Sequence, residues 1–243
     1  MTLIKLHSTS STNDYLKELS KKELLENFTT VITQKQENGK GQMGEKWETE
    51  EAKNLITSIF VKDIISNPEE IFHLNVATSI AVFETLQVLN IPNIAIKWAN
   101  DIMAENKKVC GILIENSFKP NGKIESIIGI GLNVNQTQFN GLPKASSLHN
   151  ITNHTFDIEL ILNLILQKLK YNCTLILNSN ANLLWQKLHQ NLFKINVPMT
   201  FEDCKQQKFI GAIKGVNQLG KLEVQLLDDS IKTFSIKEIQ LLF

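Results

Sequence analysis

The sequence predicts an α+β protein in two parts, a mixed α+β domain over residues 1–192 and a small all-β domain over residues 193–243. Three observations carry this reading. Of 243 residues, 42% are hydrophobic and 21% charged, a balance that supports a buried core and argues against disorder. Up to about residue 190, short β-rich runs are interleaved with long helical stripes. From Val197 onward only short, closely spaced strands remain, the pattern of a small β-barrel.

The elements follow in order. Thr2 to Leu6 reads as a first strand. Ser11-Thr12-Asn13-Asp14 fits an S-x-x-D capping box, with Tyr15, Leu16 and Leu19 as the apolar stripe behind it. Phe28 to Thr33 is rich in β formers. Residues 36–47, Q-E-N-G-K-G-Q-M-G-E-K-W, form a polar, glycine-rich loop, and Leu55 to Val61 alternates like a strand. Pro68 opens a long helix to about Leu89, with apolar residues at 72, 76, 80, 83 and 86. Three further strands run from Ile94 to Lys97, Val109 to Glu115 and Ile124 to Asn133, with turns at Asn106 and Asn121-Gly122. Asn135 to Asn150 is a long polar connection, of a length that usually serves function. Helices follow from Asp157 to about Asn178 and from Ala181 to about Gln190. The small domain then holds strands starting at Val197, Lys208, Lys221 and Lys232, with turns at residues 217–220 and 228–230.

Charge composition narrows the chemistry. All 25 basic residues are lysine, balanced by 25 acidic ones, and there is no arginine. Zero net charge argues against a dedicated nucleic-acid binder. Without a guanidinium fork, any bound anion must be held by lysine, backbone N–H groups or neutral side chains. Cys110, Cys173 and Cys204 lie far apart, which points to a reduced, cytoplasmic protein rather than a disulfide framework. The segment from Met1 to Asn13 does not read as a signal peptide, and no stretch approaches eighteen consecutive apolar residues, so no membrane span is expected.

Four segments could carry chemistry. Gly39-Lys40-Gly41-Gln42-Met43-Gly44 matches G-x-G-x-x-G, but Trp47 and a strand follow where a dinucleotide site needs a helix. No G-K-[ST] closes it as a phosphate-binding P-loop. It reads as a surface loop, or as backbone amides that wrap an anion. Lys97-Trp98-Ala99-Asn100-Asp101 reads as a strand running into an Asn-Asp turn. Lys107-Lys108-Val109-Cys110-Gly111-Ile112-Leu113-Ile114-Glu115 places a glycine inside an apolar strand, the mark of close approach by a ligand or another backbone. Gly129-Ile130-Gly131-Leu132-Asn133 does so twice more.

Taken in register, S-T-N, Q-x-x-G-K-G-x-x-G-x-x-W, K-W-x-N-D, K-x-x-G-I-L-I-E and G-I-G-L-N resemble the biotin–protein ligase family. Ala145-Ser146-Ser147-Leu148 is similar to that family's adenylate-loop signature, and the final β-rich segment resembles its SH3-like barrel. The resemblance implies a mixed sheet flanked by helices, of the class II synthetase-like type found in biotin and lipoate ligases. It implies activation of biotin by ATP, with Mg²⁺, to biotinoyl-5′-AMP, and transfer to a lysine of a biotin carboxyl carrier protein, a subunit of acetyl-CoA carboxylase or a related enzyme. Lipoate–protein ligases and octanoyl transferases share the superfamily and form the alternative. Relatives occur as monomers and as homodimers. Some carry an N-terminal DNA-binding domain, for which there is no room before Ser11, so no nucleic-acid partner is expected.

Residue by residue, the resemblance assigns Ser11, Thr12, Asn13, Gln36, Gly39, Lys40, Gly41, Gln42, Lys108 and Gly111 to biotin. It assigns Lys40, Trp47, Asn100, Asp101, Lys108 and Asn133 to ATP, with Asp101 reaching Mg²⁺ through the phosphates. Lys108 is the expected catalytic charge, bridging the biotin carboxylate and the α-phosphate. The commonest form of the family's loop is arginine-rich; here those positions hold Lys40, Gln42, Met43 and Glu45. A lysine supplies a point charge where arginine supplies a fork, so a loop that orders less firmly and an adenylate that leaks more readily are expected.

Overall fold

The computed structural model describes residues 2–120 and 122–242, so Asn121 of the expected Asn121-Gly122 turn lies outside the described residues. Twelve strands and five α-helices are described. The larger part is a seven-stranded mixed sheet made of β1 (Leu3–Thr9), β2 (Thr29–Gln36), β3 (Leu55–Lys62), β4 (Ile94–Lys97), β5 (Asp101–Ala104), β6 (Lys107–Phe118) and β7 (Ile124–Leu132). Their spatial order is β1-β2-β3-β7-β6-β5-β4, with β1 parallel to β2 and the other pairs antiparallel.

One face of this sheet is the main core. There α2 (Ile71–Val88) and α4 (Ile158–Leu177) cover Leu55, Ile59, Ile112, Ile128, Ile130 and Leu132, and α5 (Ala181–Gln190) packs alongside them. Both α4 and the segment Pro68–Val88 that contains α2 are long and apolar enough to span a membrane by length and composition. In the fold their apolar residues are core: Leu74, Ile80 and Leu86 of α2 and Ile161, Ile165 and Leu169 of α4 are fully buried.

The opposite face is covered only in part. Helix α1 (Thr12–Lys22) begins where the capping box places it, with the Ser11 hydroxyl accepting from the Asp14 N–H. Its Leu16 packs on Val31, Phe60 and Ile127. The helix is short, so the rest of this face stays open.

Asp101 does not lie in a turn. It opens β5, a strand too short and too rich in turn formers at its start to be read from sequence. The polar connection after Asn135 ends in a short helix, α3 (Leu148–Thr152), capped by Ser147. The C-terminal strands form a second, antiparallel sheet of β8 (Pro198–Asp203), β9 (Lys208–Val216), β10 (Leu222–Leu226), β11 (Ile231–Phe234) and β12 (Ile239–Leu242), ordered β11-β10-β9-β8-β12. This five-stranded antiparallel order is consistent with the expected SH3-like module; among the described residues β11 and β12 end the order without pairing to each other. β12 had no counterpart in the sequence reading.

Candidate active site

Strand pairing sets out the floor of the open face. Asp101, Gly111, Gly131 and Ile56 form one cross-strand row, and Leu113, Gly129 and Ser58 form another two residues along. Successive side chains alternate across a sheet, so both rows point to the same side. Above them lies a cleft of about 600 Å³, closed on one side by the small sheet. Every residue that the sequence assigns to a ligand lines it, except Gly39 and Asn133.

Lys108 reaches this cleft because of a β-bulge. In a regular strand, residues 108 and 111 would face opposite ways. Here Ile102 pairs with Cys110 while Met103 pairs with Lys108, so Val109 is an extra residue. That shift in phase turns Lys108 to the side of Gly111, where a bulge can re-aim a side chain. Its Nζ lies 2.7 Å from Asp101 Oδ1 and 5.6 Å from the centre of the Trp47 ring, and Lys97 Nζ stands 3.7 Å from Asp101 Oδ2. The backbone of Lys108 is held on both sides: its N–H donates to Lys144 O at 2.8 Å and its C=O accepts from Ser146 N–H at 3.0 Å. The Ala145-Ser146-Ser147-Leu148 signature is thus a brace for Lys108.

Asn133 belongs to the same brace. Its buried side chain donates to Ser146 O at 3.0 Å, its N–H donates to Val109 O at 2.8 Å and its C=O accepts from Leu148 N–H at 3.0 Å. It stands behind the cleft, not at its wall. Asn100 does line the cleft, and its amide donates to Ile112 O at 2.7 Å, tying the start of β5 to β6.

The strand glycines make room for the protein's own side chains. A β-carbon at Gly131 would stand 2.4 Å from Trp47 Cε2, and one at Gly111 would stand 3.1 Å from Trp47 Cζ3. The indole therefore lies on a two-glycine platform, with its Nε1 buried and lacking a hydrogen-bond partner. A β-carbon at Gly129 would stand 2.5 Å from Asn13 Oδ1. Asn13 is correspondingly sunk into the sheet, accepting from the Ser58 hydroxyl at 2.6 Å and donating to Glu115 Oε2 at 2.8 Å. Ser58 and Glu115 hold Asn13 in place, and the sequence assigned them no role. A buried serine within the apolar run L-I-T-S-I-F-V-K was the available signal.

Polar groups at the start of α1 are oriented by this network. Gln36 Oε1 accepts from Thr12 N–H at 2.9 Å and from the Thr12 hydroxyl at 3.2 Å, which leaves the Gln36 amide nitrogen as a donor end toward Gly39. Ser11 caps with an oxygen lone pair and keeps its O–H to give.

The glycine-rich loop folds back on itself around a 3₁₀ turn, Gln42–Gly44. Gly41 N–H donates to Glu45 O at 2.7 Å and Trp47 N–H to Gly39 O at 2.9 Å, so these two amides are spent within the loop. Gly39 is required by close approach, since a β-carbon there would stand 2.1 Å from Trp47 O. Lys40 Nζ pairs with Asp14 at 2.7 Å, tethering the loop to the first turn of α1. The Asp14 hydrogen bond raises the Lys40 pKa above its ordinary value, with burial opposing. Among the described residues no group of three or more His, Cys, Asp and Glu side chains could hold a metal.

The family model of the biotin/lipoate A/B protein ligases matches residues 6–135. The chain belongs to this family. It is 31% identical over 124 residues to the bifunctional ligase/repressor BirA of Escherichia coli, a match covering 51% of this chain and 38% of that protein. It thus spans well under half the length of that relative. The biotin--[acetyl-CoA-carboxylase] ligase of Mycobacterium tuberculosis is 25% identical over 196 residues, covering 79% of this chain and 71% of that one. In fold, the chain resembles the Aquifex aeolicus biotin protein ligase solved with biotin and ATP, with a TM-score of 0.81 at 23% identity over 99% of this chain and 98% of that one.

Proposed function

We propose that this chain is a cytoplasmic biotin–protein ligase. In the first step a biotin carboxylate oxygen attacks the α-phosphorus of ATP, the bond to the β-phosphate bridging oxygen breaks, and pyrophosphate leaves. In the second, a carrier lysine amine attacks the acyl carbon of biotinoyl-5′-AMP, AMP leaves, and the amine gives up a proton. The lysine would belong to a biotin carboxyl carrier protein of a carboxylase.

The observation that carries this reading is the position of Lys108. One ammonium, aimed by a bulge and braced through its backbone, stands in a cleft that also presents neutral polar groups at the start of α1. Bringing a carboxylate against a triphosphate requires such a fixed charge, which stabilises the transition state without reorganisation. The Ser11 hydroxyl and the Gln36 amide suit a neutral ureido ring, and Trp47 on its glycine platform suits a flat base. The relatives named as biotin ligases support the choice of biotin over lipoate.

Mg²⁺ fits here only as an ion carried by the nucleotide. It commonly takes one or two carboxylates and completes its shell with phosphates and water. Asp101 is the carboxylate at hand, and it is already neutralised by Lys97 and Lys108. The ion would add charge neutralisation at the phosphates.

Biotin-dependent release of pyrophosphate from ATP tests the proposal, followed by labelling of a carrier domain. Release that depends equally on lipoate or octanoate, or no release with any of the three, would overturn it.

A further inference from the structure

Neither the resemblance nor the proposed reaction has a use for Trp98 of the K-W-A-N-D segment. Its surroundings are specific. The Trp98 indole Nε1 donates to Gly220 O at 2.9 Å, across to the turn between β9 and β10 of the small sheet. Gly220 has φ +78°, and a β-carbon there would stand 2.2 Å from the Phe72 ring. The turn is therefore seated between Phe72 and Trp98. The strand that leads into Trp98 is tied in the same direction: Ile96 N–H donates to Asn191 O and Ile96 O accepts from Phe193 N–H, both at 2.8 Å, in the segment that joins the two domains. Two residues beyond Trp98, Asn100 is fastened to β6, and Asp101 meets Lys108. The small sheet in turn places Cys204, Lys237 and Gln240 at the mouth of the cleft.

We infer that Trp98 is a positioning residue that sets the small sheet in register with Asn100 and Asp101, so that the nucleotide end of the cleft is complete only when the Trp98–Gly220 contact is made. This rests on the proposed ligase reading, in which Asn100 and Asp101 face the nucleotide and the start of α1 faces biotin. The contact lies on the nucleotide side, so its loss acts on ATP and spares biotin.

The test is a double-mutant cycle on the full chain. Trp98→Phe removes the donor and keeps a ring. Gly220→Ala pushes the acceptor away against Phe72. Each single change is expected to raise the KM for ATP about tenfold, the size of one lost hydrogen bond at a partly buried site, while the KM for biotin stays within about twofold. Because both act on one contact, the double variant is expected to be no worse than the worse single variant. Multiplying effects, an equal rise in both KM values, or an unchanged KM for ATP would overturn the inference. If Gly220→Ala melts far below the parent, Phe72→Leu withdraws the seat of the turn from the other side and completes the cycle. Wild-type protein without biotin-dependent pyrophosphate release would instead sink the ligase reading itself, a result distinct from every outcome of the cycle.

Discussion

The indole of Trp47 lies against Gly131 so closely that a β-carbon at that position would stand 2.4 Å from Cε2. A methyl group there has no space while the ring keeps its place. Gly131→Ala is expected to lift Trp47 off the sheet, at the ~1–3 kcal/mol typical of overpacking. If the ring flanks the nucleotide, ATP binding should weaken by about tenfold or more for that cost. Isothermal titration with ATP in wild type and variant measures this; equal affinities would remove Trp47 from the nucleotide site.

Lys108→Ala removes the fixed ammonium and leaves Asp101 facing Lys97 alone. Loss of one positioned transition-state donor costs roughly 10²–10³ in rate. Biotin-dependent pyrophosphate release should fall by that factor while the circular dichroism and melting profile persist. Turnover at the wild-type rate would discard Lys108 as the catalytic charge.

Asn133→Ala separates two roles for that residue. As a brace it holds Ser146 and, through it, Lys108. Removing a buried amide and leaving Ser146 O without its donor is expected to cost ~1–3 kcal/mol of stability. Denaturant unfolding reads the stability. An unchanged midpoint combined with lost ATP affinity would restore the nucleotide contact expected from the sequence.

The Lys40–Asp14 pair is half-exposed, so its contribution to stability is small, ~0.2–1 kcal/mol. Its effect should show in the loop. Asp14→Asn is expected to speed cleavage by trypsin after Lys40 and Lys46. The Lys40 pKa is raised in the folded state, so the contact is fully present below the ordinary lysine value and is lost only as pH climbs through the raised one. Loop protection in the wild type should therefore be flat from roughly pH 6 to 9. Protection that fades within that window would assign the tether to another group.

Burial pushes the Cys173 thiol up to about 12, and burial beside the Asp101 charge pushes Cys110 up as well. Cys204 is exposed and lines the cleft mouth. Native protein should take up one equivalent of a thiol reagent, at Cys204, and ATP with biotin should slow the reaction. Uptake at all three positions would show that the core opens on the labelling timescale.

Much of this arrangement was legible in the sequence, and the misses have physical causes. The cap at Ser11 and Asp14 is a local hydrogen bond between residues three apart, and it appears where the pattern puts it. The bulge at Val109 depends on which residues of β5 lie opposite, so no reading of β6 alone could place Lys108 on the side of Gly111. The glycines announced close approach, but the sequence did not say of what. Gly111 and Gly131 receive Trp47, and Gly129 receives Asn13, partners distant in sequence that only the folded sheet brings together.

The brace on Lys108 has a bearing on synthesis. The segment that matches the family model ends at residue 135, yet Lys144 and Ser146 hold the backbone of Lys108, and Gly220 holds Trp98. A chain leaving the ribosome exposes β6 well before these partners emerge. During that interval the Lys108 ammonium has its strand but not its aim. A protein cut after residue 135 would keep the K-W-A-N-D and K-x-x-G segments intact in sequence and still lack a fixed charge.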